Sequence, residues 1–285
     1  MSLSLSLIFP AFNEAARLGK TLRTTFGYLN EQAYASEVLV VDDGSTDGTA
    51  GVAERAFSER GRVEARVIRY EPNRGKGYAV RLGLSESRAP VALYSDSDLS
   101  TPITETPKLV APVRSGEYDV VFGSRGLDRS LIGVHQPWLR EQSGRVFNLA
   151  VRAATRLPFW DTQCGFKAFR MDVCRPLVEG CRIDRFGFDV ELLYVARMAG
   201  LRMLEQPVRW DDAAGSKVSF RSGLEGFLEL RELRRQAKRG VYDEAVRRAR
   251  LAAARPATRA PILAAGEPAP ESDASPELAD AARRI

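Results

Sequence analysis

Residues 91–100 read Val-Ala-Leu-Tyr-Ser-Asp-Ser-Asp-Leu-Ser, an apolar run that ends in two carboxylates, Asp96 and Asp98. The run predicts a buried strand, and its carboxyl end is where open α/β sheets bind ligands. The spacing of the two aspartates suits one divalent ion, and hard oxygen ligands favour Mg²⁺ or Mn²⁺ with a diphosphate completing the coordination. An Asp-x-Asp pair arises by chance about once in a chain of this composition, so the interpretation depends on its context.

The sequence around this strand alternates between strand and helix patterns. Strands are predicted at residues 4–9, 37–41, 67–70 and 119–123, and helices at residues 14–29, 50–57 and 78–87. A helix between successive strands implies right-handed crossovers and a parallel sheet. This α/β pattern is typical of a nucleotide-binding sheet, although the sequence has neither a Gly-x-Gly-x-x-Gly segment nor a Walker lysine loop.

Composition narrows the possible classes of protein. The 285 residues, 44% of them hydrophobic, are enough for one main domain. The three cysteines form no Cys-x-x-Cys pair and no signal peptide is recognisable, so we expect a cytoplasmic protein without a disulfide framework. No stretch is long and apolar enough to span a bilayer. The single histidine, His135, is expected to be an ordinary loop residue, and it argues against a His-rich zinc site or a Ser/His/Asp triad.

Polar residues follow three further predicted strand ends. Residues 9–14, Phe-Pro-Ala-Phe-Asn-Glu, present a ring that can stack on a nucleobase and a carboxylate. Residues 41–47, Val-Asp-Asp-Gly-Ser-Thr-Asp, offer acceptors for a base N–H or for ribose hydroxyls. Residues 73–77, Asn-Arg-Gly-Lys-Gly, combine flexible backbone with two cations that suit phosphates. Each segment alone is ordinary turn chemistry, but four at the carboxyl ends of one sheet predict a nucleotide site.

In this order the four segments resemble the signature of family 2 inverting glycosyltransferases. That resemblance implies the GT-A fold, a Rossmann-like α/β fold for nucleotide-diphospho-sugars with a mixed central sheet flanked by helices. Residues 123–125, 161–167, 186–194 and 215–217 are similar to the dolichyl-phosphate β-glucosyltransferase branch, so the likeness covers about residues 4–220. The chain departs from eukaryotic members in reading Asp-Ser-Asp-Leu for Asp-Ala-Asp-Gly, and their membrane anchor has no recognised counterpart.

The resemblance implies inverting transfer of glucose from UDP-glucose to a polyprenyl (dolichyl-type) phosphate, with Mg²⁺ or Mn²⁺ as cofactor. Asp96 and Asp98 would bind the metal, which neutralises the diphosphate leaving group. The donor-binding residues carried over by position are Pro10, Ala11, Phe12, Glu14, Asp42, Asp43, Lys76, Asp96 and Ser97. The acceptor-binding residues are Arg125, Arg140, Arg145 and Gln163. The acceptor phosphate arrives ionised, so the reaction needs no strong general base.

Five residues are expected to take part in the reaction itself, namely Asp96, Asp98, Arg125, Asp161 and Asp189. Asp161 would line the sugar or acceptor pocket, and Asp189 would orient the acceptor or the sugar. The alternative for Asp189 is structural, because residues 188–193 also fit a helix whose carboxylates cap or pair locally. Cys164 lies inside a matching motif but has no partner base, so we interpret it as a packing residue.

The carboxyl-terminal third has a different character. Residues 217–250 contain ten Lys or Arg and five Asp or Glu, and apolar residues recur at spacings of three or four from Leu224 to Val241. This basic amphipathic helix can lie on an anionic membrane surface or dock on the domain. We therefore expect a catalytic domain at residues 1–220, a basic helical extension at 221–250 and a disordered tail at 251–285. Peripheral contact with the inner face of the cytoplasmic membrane would follow from the first possibility.

Two rival functions remain at this stage. The same fold could use GDP-mannose as donor or a soluble hydroxyl acceptor, and the hydroxyl would need a base such as Asp189 or Asp161. A non-catalytic nucleotide-sugar sensor would bind UDP-glucose without turnover. Nucleic-acid binding is not expected, because the basic excess is confined to one helix. The hexose, the lipid length and the oligomeric state are not decided by the sequence.

Overall fold

The computed structural model describes residues 2–134, 138–212 and 220–255, which are arranged around one seven-stranded sheet. The strands are β1 (Leu3–Ala11), β2 (Ala35–Asp43), β3 (Glu64–Tyr70), β4 (Val91–Ser95), β5 (Val120–Ser124), β6 (Ile132–Val134), β7 (Phe166–Arg170), β8 (Met203–Pro207) and β9 (Trp210–Asp211). Their order in the main sheet is β3-β2-β1-β4-β7-β5-β8, and β6 pairs separately with β9. Strand β7 runs antiparallel to β4 and β5, whereas the other neighbours are parallel. The predicted mixed α/β sheet is confirmed.

Helices cover both faces of the sheet. They are α1 (Ala15–Asn30), α2 (Thr49–Ala56), α3 (Lys76–Glu86), α4 (Thr106–Arg114), α5 (Trp138–Thr155), α6 (Met171–Gly180), α7 (Phe188–Met198), α8 (Phe220–Lys238) and α9 (Asp243–Ala253). One core layer holds buried residues of α1, α2 and α4, and the opposite layer holds those of α3, α5, α6 and α7. A sheet covered on both faces requires apolar strands, which explains the continuous apolar runs in the sequence.

The register of the strands places the polar segments at one edge of the sheet. In parallel pairing, Leu5 of β1 lies opposite Val91 of β4, and Ala11 lies opposite Asp42 of β2. All five residues of β4 are buried, as the apolar run predicted. Because β7 is antiparallel to β4, its first residue, Phe166, lies opposite Ser95 at the same edge. The loop that precedes β7 therefore joins the carboxyl ends of the parallel strands.

Helices α8 and α9 dock on the opposite layer through a narrow apolar face. Leu230 and Leu233 of α8 are buried, and Tyr242, after a turn at Gly240 with φ of +73°, is fully buried. The Tyr242 hydroxyl donates a hydrogen bond to Glu191 Oε1 at 2.7 Å, and burial raises the pKa of Tyr242. The docked arrangement is thus present, and whether the exposed face of α8 also contacts a membrane stays a prediction, as does the division at residue 220.

Parts of the sequence-based expectations fall on residues that the structure does not describe. His135, the segment 215–217 and most of the predicted tail, from residue 256 onward, lie outside the described residues. Helix α9 ends at Ala253. Among the described helices, none is both long enough and apolar enough to traverse a membrane.

Candidate active site

Asp96 and Asp98 follow β4 and lie partly open to solvent. The backbone N–H of Asp96 donates to the Gly165 carbonyl at 3.0 Å, which ties the end of β4 to the loop before β7. The side chains are 37% and 19% exposed, respectively. Asp98 Oδ1 also accepts from the Ser100 backbone N–H at 2.9 Å. Both carboxylates are therefore held in place while keeping oxygen surface for a ligand.

Gly165 makes room for the carboxylate of Asp96. A Cβ atom at this glycine would lie 2.1 Å from Asp96 Oδ2, a distance at which one of the two groups would have to move. The glycine is thus required by close approach of a functional side chain rather than by backbone conformation. The sequence contained Gly165 within a matching motif but gave no sign of which residue it approaches.

Two cations, Lys76 and Arg17, contact the aspartate pair. Lys76 Nζ is 2.5 Å from Asp96 Oδ1. Burial opposes the charge on Lys76, but the carboxylates of Asp96 and Asp189 outweigh it and raise the pKa of Lys76. Arg17 lies 3.8 Å from Asp98 Oδ2.

Arg17 was missed by the sequence analysis. It sits on α1, and its guanidinium is hydrogen-bonded to both carboxylate oxygens of Glu14, one of the predicted donor-binding residues. These hydrogen bonds, followed by the charges of Asp98 and Asp96, raise the pKa of Arg17. A helical arginine three residues after a glutamate looks like an ordinary surface pair in sequence, so only the fold shows that it faces the metal-binding candidates.

The loop after β1 packs against the Asp-Ser-Asp segment. Ser97 is buried, and its hydroxyl donates to the Pro10 carbonyl at 2.7 Å, while its own carbonyl accepts from Thr21 at 2.6 Å. Ala11 is also buried, whereas the ring of Phe12 is 38% exposed. The predicted donor-binding residues Pro10 and Ser97 thus join two strand ends, and Phe12 presents a ring surface beside them.

The two aspartates at the end of β2 differ in how they are used. Asp43 accepts from Asn73 Nδ2 at 2.8 Å, from the Arg74 N–H at 2.6 Å and from the Gly75 N–H at 2.9 Å. It therefore shapes the loop that leads to Lys76. Asp42 is fully buried and accepts from the Ser45 N–H at 2.9 Å through Oδ1. Its Oδ2 has no hydrogen-bond partner among the described residues, and Arg69 lies 3.8 Å away.

Arg125 and Asp161 form a tight ion pair beside the metal-binding candidates. Arg125 donates from its backbone N–H at 3.0 Å and from Nε at 2.6 Å to Asp161 Oδ2, and from its terminal nitrogen to Oδ1 at 2.8 Å. Burial favours the neutral carboxyl, but the charge of Arg125 prevails and holds the pKa of Asp161 below its ordinary value. Glu205 on β8 accepts from the Asp161 N–H at 2.8 Å, a support that the sequence analysis missed.

The remaining predicted acceptor residues lie around this ion pair. The Gln163 backbone N–H donates to Asp161 Oδ1 at 3.3 Å, and its side chain is half-buried. Arg140 and Arg145 belong to α5, but their side chains are outside the part of the chain that the structure describes. Cys164 is a free, buried thiol, and burial raises its pKa to about 12, consistent with a packing residue.

Asp189 lies in the first turn of α7 and accepts hydrogen bonds from two buried donors. The Tyr94 hydroxyl and Lys167 Nζ both donate to Asp189 Oδ1. Lys167 is fully buried and also donates to the Cys164 carbonyl at 2.6 Å. A buried ammonium requires such pairing, so the cluster holds the Asp189 carboxylate in one orientation. Lys167, on the unpredicted strand β7, was not identified as a site residue from the sequence.

Among the predicted residues, Asp96, Lys76, Arg125 and Asp189 thus lie in one cluster of alternating charge. Electrostatic contacts link Asp96 to Lys76, Arg17 and Arg125, and link Lys76 to Asp189. Within the described residues, no three His, Cys, Asp or Glu side chains are grouped to hold a metal by themselves. Asp96 and Asp98 nevertheless offer the hard, partly exposed oxygens that Mg²⁺ or Mn²⁺ prefers, leaving coordination positions for a diphosphate and water. The residues present fit such an ion.

Acidic and basic side chains at the carboxyl edge of a Rossmann-like sheet are typical of α/β proteins that bind a charged ligand there. The profile described as Glycosyl transferase family 2 matches residues 6–177. A dolichyl-phosphate beta-glucosyltransferase of Drosophila melanogaster is 34% identical over 76% of this chain and 70% of its own length. The Homo sapiens protein of the same description is 32% identical over 84% of this chain and 77% of its own length. The chain belongs to glycosyl transferase family 2 and is a glycosyltransferase similar to these relatives.

Solved structures agree on the fold. Glucosyl-3-phosphoglycerate synthase from Mycobacterium tuberculosis superposes with a TM-score of 0.60 at 20% identity, covering 81% of this chain and 80% of the other. The same synthase with Mn²⁺, uridine-diphosphate-glucose and phosphoglyceric acid gives a TM-score of 0.59 at 18% identity, over 81% and 79% of the two chains. The expected GT-A fold is confirmed.

Proposed function

We propose that this glycosyltransferase transfers glucose from UDP-glucose to a polyprenyl phosphate with inversion. The observation that carries the proposal is the juxtaposition of two open carboxylates, Asp96 and Asp98, with Arg125, a cation that Asp161 fixes in place. This arrangement suits a diphosphate on one side and an anionic acceptor on the other. The dolichyl-phosphate beta-glucosyltransferase relatives, at 30–34% identity, support this choice of donor sugar and acceptor.

The donor would lie along the ends of β1 and β2. The exposed ring of Phe12 offers a stacking surface for uracil, and Pro10, Ala11 and Glu14 line the same loop. Asp42 and Asp43 are the last residues of β2, and Asp43 holds the loop that leads to Lys76. Lys76 and Arg17 are the cations nearest the aspartate pair, so we infer that they meet the diphosphate.

Asp96 and Asp98 would hold the divalent ion, and Gly165 leaves the room that Asp96 needs. When bound, Mg²⁺ or Mn²⁺ neutralises charge that develops on the UDP leaving group. Ser97 anchors the segment to the loop after β1 through its 2.7 Å hydrogen bond. Such anchoring keeps the two flanking carboxylates in one orientation, which a preorganised site requires.

Arg125 would bind the acceptor phosphate, helped by Gln163 and by the α5 arginines Arg140 and Arg145. Asp161 contributes by holding the guanidinium and not by taking a proton, because Arg125 keeps its pKa low. Asp189 is likewise engaged by Lys167 and Tyr94. A carboxyl whose pKa is held low, as that of Asp161 is, makes a poor general base, which favours an acceptor that is already ionised over a neutral hydroxyl. The phosphate oxygen would attack the anomeric carbon in line.

The acceptor is a lipid in this proposal, so the enzyme would work at the cytoplasmic face of a membrane. Helix α8 supports such a contact, because its docked face is apolar while Arg231, Arg234 and Lys238 line a surface groove. Each cation close to an anionic surface is worth about 1 kcal/mol. Arg234→Glu, which removes a cation and adds an anion, should therefore reduce binding to anionic vesicles by about fivefold or more, and Arg247→Glu on α9 is the matched control.

The test of the activity is transfer of radiolabelled sugar to a short polyprenyl phosphate from UDP-glucose, GDP-mannose and UDP-N-acetylglucosamine, with Mn²⁺ and with EDTA. We expect metal-dependent, lipid-extractable label from UDP-glucose. Labelled lipid from GDP-mannose would show that the donor is GDP-mannose and not UDP-glucose. UDP-glucose hydrolysis without labelled lipid would point to a soluble hydroxyl acceptor, and binding of UDP-glucose without turnover would point to a sensor.

A further inference from the structure

Four large apolar side chains are exposed around α5. Val146 and Leu149, one turn apart on the helix, are 62% and 66% exposed, and Leu127 and Trp160 are 43% and 58% exposed. Arg152 lies one turn beyond Leu149, and its guanidinium is 4.3 Å from the centre of the Trp160 ring. A Cβ at Gly126, next to Leu127, would be 3.6 Å from the Trp160 Cβ. We call Leu127, Val146, Leu149 and Trp160 the α5 rim.

The α5 rim adjoins the residue expected to bind the acceptor phosphate. Trp160 immediately precedes Asp161, whose carboxylate holds the Arg125 guanidinium at 2.6 Å. Both backbone N–H groups, of Trp160 and Asp161, donate to the carboxylate of Glu205, at 2.9 Å and 2.8 Å. The loop is therefore fixed, and an exposed indole lies next to Asp161, the residue that holds the phosphate-binding candidate Arg125. Single exposed apolar residues are ordinary, but here four occur in neighbouring segments, and Trp160 among them adjoins the Arg125–Asp161 pair.

Cations flank the rim on the side of α8. A groove of about 580 Å³ between α5 and α8 is lined by Ala150, Ala154, Phe227, Leu230, Arg231, Arg234, Arg235 and Lys238. The lining includes four cations and no carboxylate, although Glu232 pairs with Arg235 at 2.6 Å nearby. Apolar side chains bordered by cations are complementary to the interface of an anionic bilayer, where tryptophan is also favoured.

We propose that the α5 rim inserts into the interfacial layer of an anionic phospholipid membrane and sets Arg125 at headgroup depth. This inference rests on the proposed function, because a lipid-phosphate acceptor is the reason for placing a phosphate-binding site at the depth of the headgroups. A polyprenyl phosphate carries its charge at the headgroup layer and its chain in the hydrocarbon. Trp160 and Leu149 at the surface would therefore let the acceptor reach Arg125 without leaving the bilayer.

Vesicle flotation of the full chain tests the insertion, using phosphatidylcholine vesicles with and without phosphatidylglycerol. Leu149→Glu should reduce the partition coefficient by about tenfold, because burial of one leucine side chain is worth at least that factor. Leu251→Glu is the matched control, since Leu251 on α9 is 57% exposed and lies outside the rim. The control should float as the unaltered protein does. Equal flotation of all three proteins would overturn the proposal.

Tryptophan fluorescence provides an independent readout of insertion. In a Trp138→Phe background, lipids brominated along the acyl chain should quench the emission, and adding Trp160→Phe should remove most of that quenching because the remaining tryptophan, Trp210, is buried. Unchanged quenching in this variant would also overturn the proposal. Transfer to a short water-soluble prenyl phosphate separates the two inferences. No transfer to it would refute the proposed function. If transfer occurs, and the preference for a vesicle-embedded acceptor is the same in Leu149→Glu as in the unaltered protein, the rim proposal alone is refuted.

Discussion

Two acidic pairs, Asp42-Asp43 at the end of β2 and Asp96-Ser-Asp98 just after β4, occupy the same edge of one sheet and have different surroundings. At the end of β2, both carboxylates are buried, and Asp43 is occupied by three donors of the 73–75 loop. At the end of β4, the carboxylates are partly exposed, and Lys76 and Arg17 are their charged neighbours. The position of an acidic pair in a fold is therefore insufficient to assign its role. Burial and hydrogen-bond partners distinguish a carboxylate that holds a loop from one that is open to a ligand.

The largest expected effect is on the open pair. Asp96→Asn should reduce glucosyl transfer by about 100-fold or more, because the site loses a charged oxygen ligand where leaving-group charge develops. Stability should change little, since the side chain is partly exposed. Kinetics and urea unfolding measure the two quantities. Asp172→Asn, a 57% exposed aspartate on α6, is the control that should keep full activity. A loss of stability in Asp96→Asn without a loss of transfer activity would show that this carboxylate supports the fold and not the reaction.

The buried pair should respond in the opposite way. Asp43→Asn replaces one acceptor oxygen with an NH₂ group facing N–H donors, which should cost about 2 kcal/mol in the free energy of unfolding. Asp42→Asn should cost less, because an amide oxygen can keep the 2.9 Å bond from Ser45 while Oδ2 has no hydrogen bond to lose. Urea unfolding compares the variants. Equal losses would show that the two carboxylates contribute alike.

A glycine substitution can test the role assigned to Asp96 without changing any charge. Gly165→Ala would place a methyl group 2.1 Å from Asp96 Oδ2 and displace the carboxylate. We expect about a tenfold loss of kcat/KM and weaker Mn²⁺ binding, since a small misplacement of a preorganised group is costly. Gly27→Ala on α1 meets nothing within 4 Å and is the matched control. Unaltered Mn²⁺ affinity in Gly165→Ala would argue against Asp96 as a ligand.

The smallest effect concerns Asp161, a carboxylate outside the two pairs, which is buried and paired with a cation. Its pKa is lower in the folded chain than its ordinary value of 3.8, so its stabilising contribution is full above that value and declines as the pH falls. The stability difference between the unaltered protein and Asp161→Asn should be constant near neutral pH. Below pH 3.8 it should shrink by at most about 1.4 kcal/mol per pH unit. Urea unfolding at several pH values measures it, and a difference that grows in acid would contradict the ion-pair assignment.

Much of the amino-terminal half could be predicted from sequence. The strands β1 to β5 and the helices α1 to α3 lie within a few residues of their predicted bounds, because apolar periodicity is a local property of the sequence. At the start of α2 the expected capping is altered: the N-cap residue, Gly48, has no side chain to offer, and Asp47 instead accepts a 3.1 Å hydrogen bond from the Thr49 N–H. Strand β7 was missed, since its Phe-Lys-Ala-Phe-Arg sequence carries two charges although all five residues are buried. Those charges are tolerated because Lys167 meets Asp189 and Arg170 meets Asp119.

The sequence by itself determined the order of the strand-end segments, and with it the family, because motifs and periodicity are local properties. The tertiary structure alone decided what each charged residue contacts. Asp96 is packed on Gly165, Asp43 on the 73–75 loop, and Asp189 on Lys167, all partners at least 22 residues away along the chain. Electrostatic interactions depend on distance and burial, and neither quantity can be read from spacing along a chain. For that reason Asp43 accepts hydrogen bonds from a loop, Asp161 is paired with Arg125, and Asp96 and Asp98 keep partly exposed carboxylate oxygens.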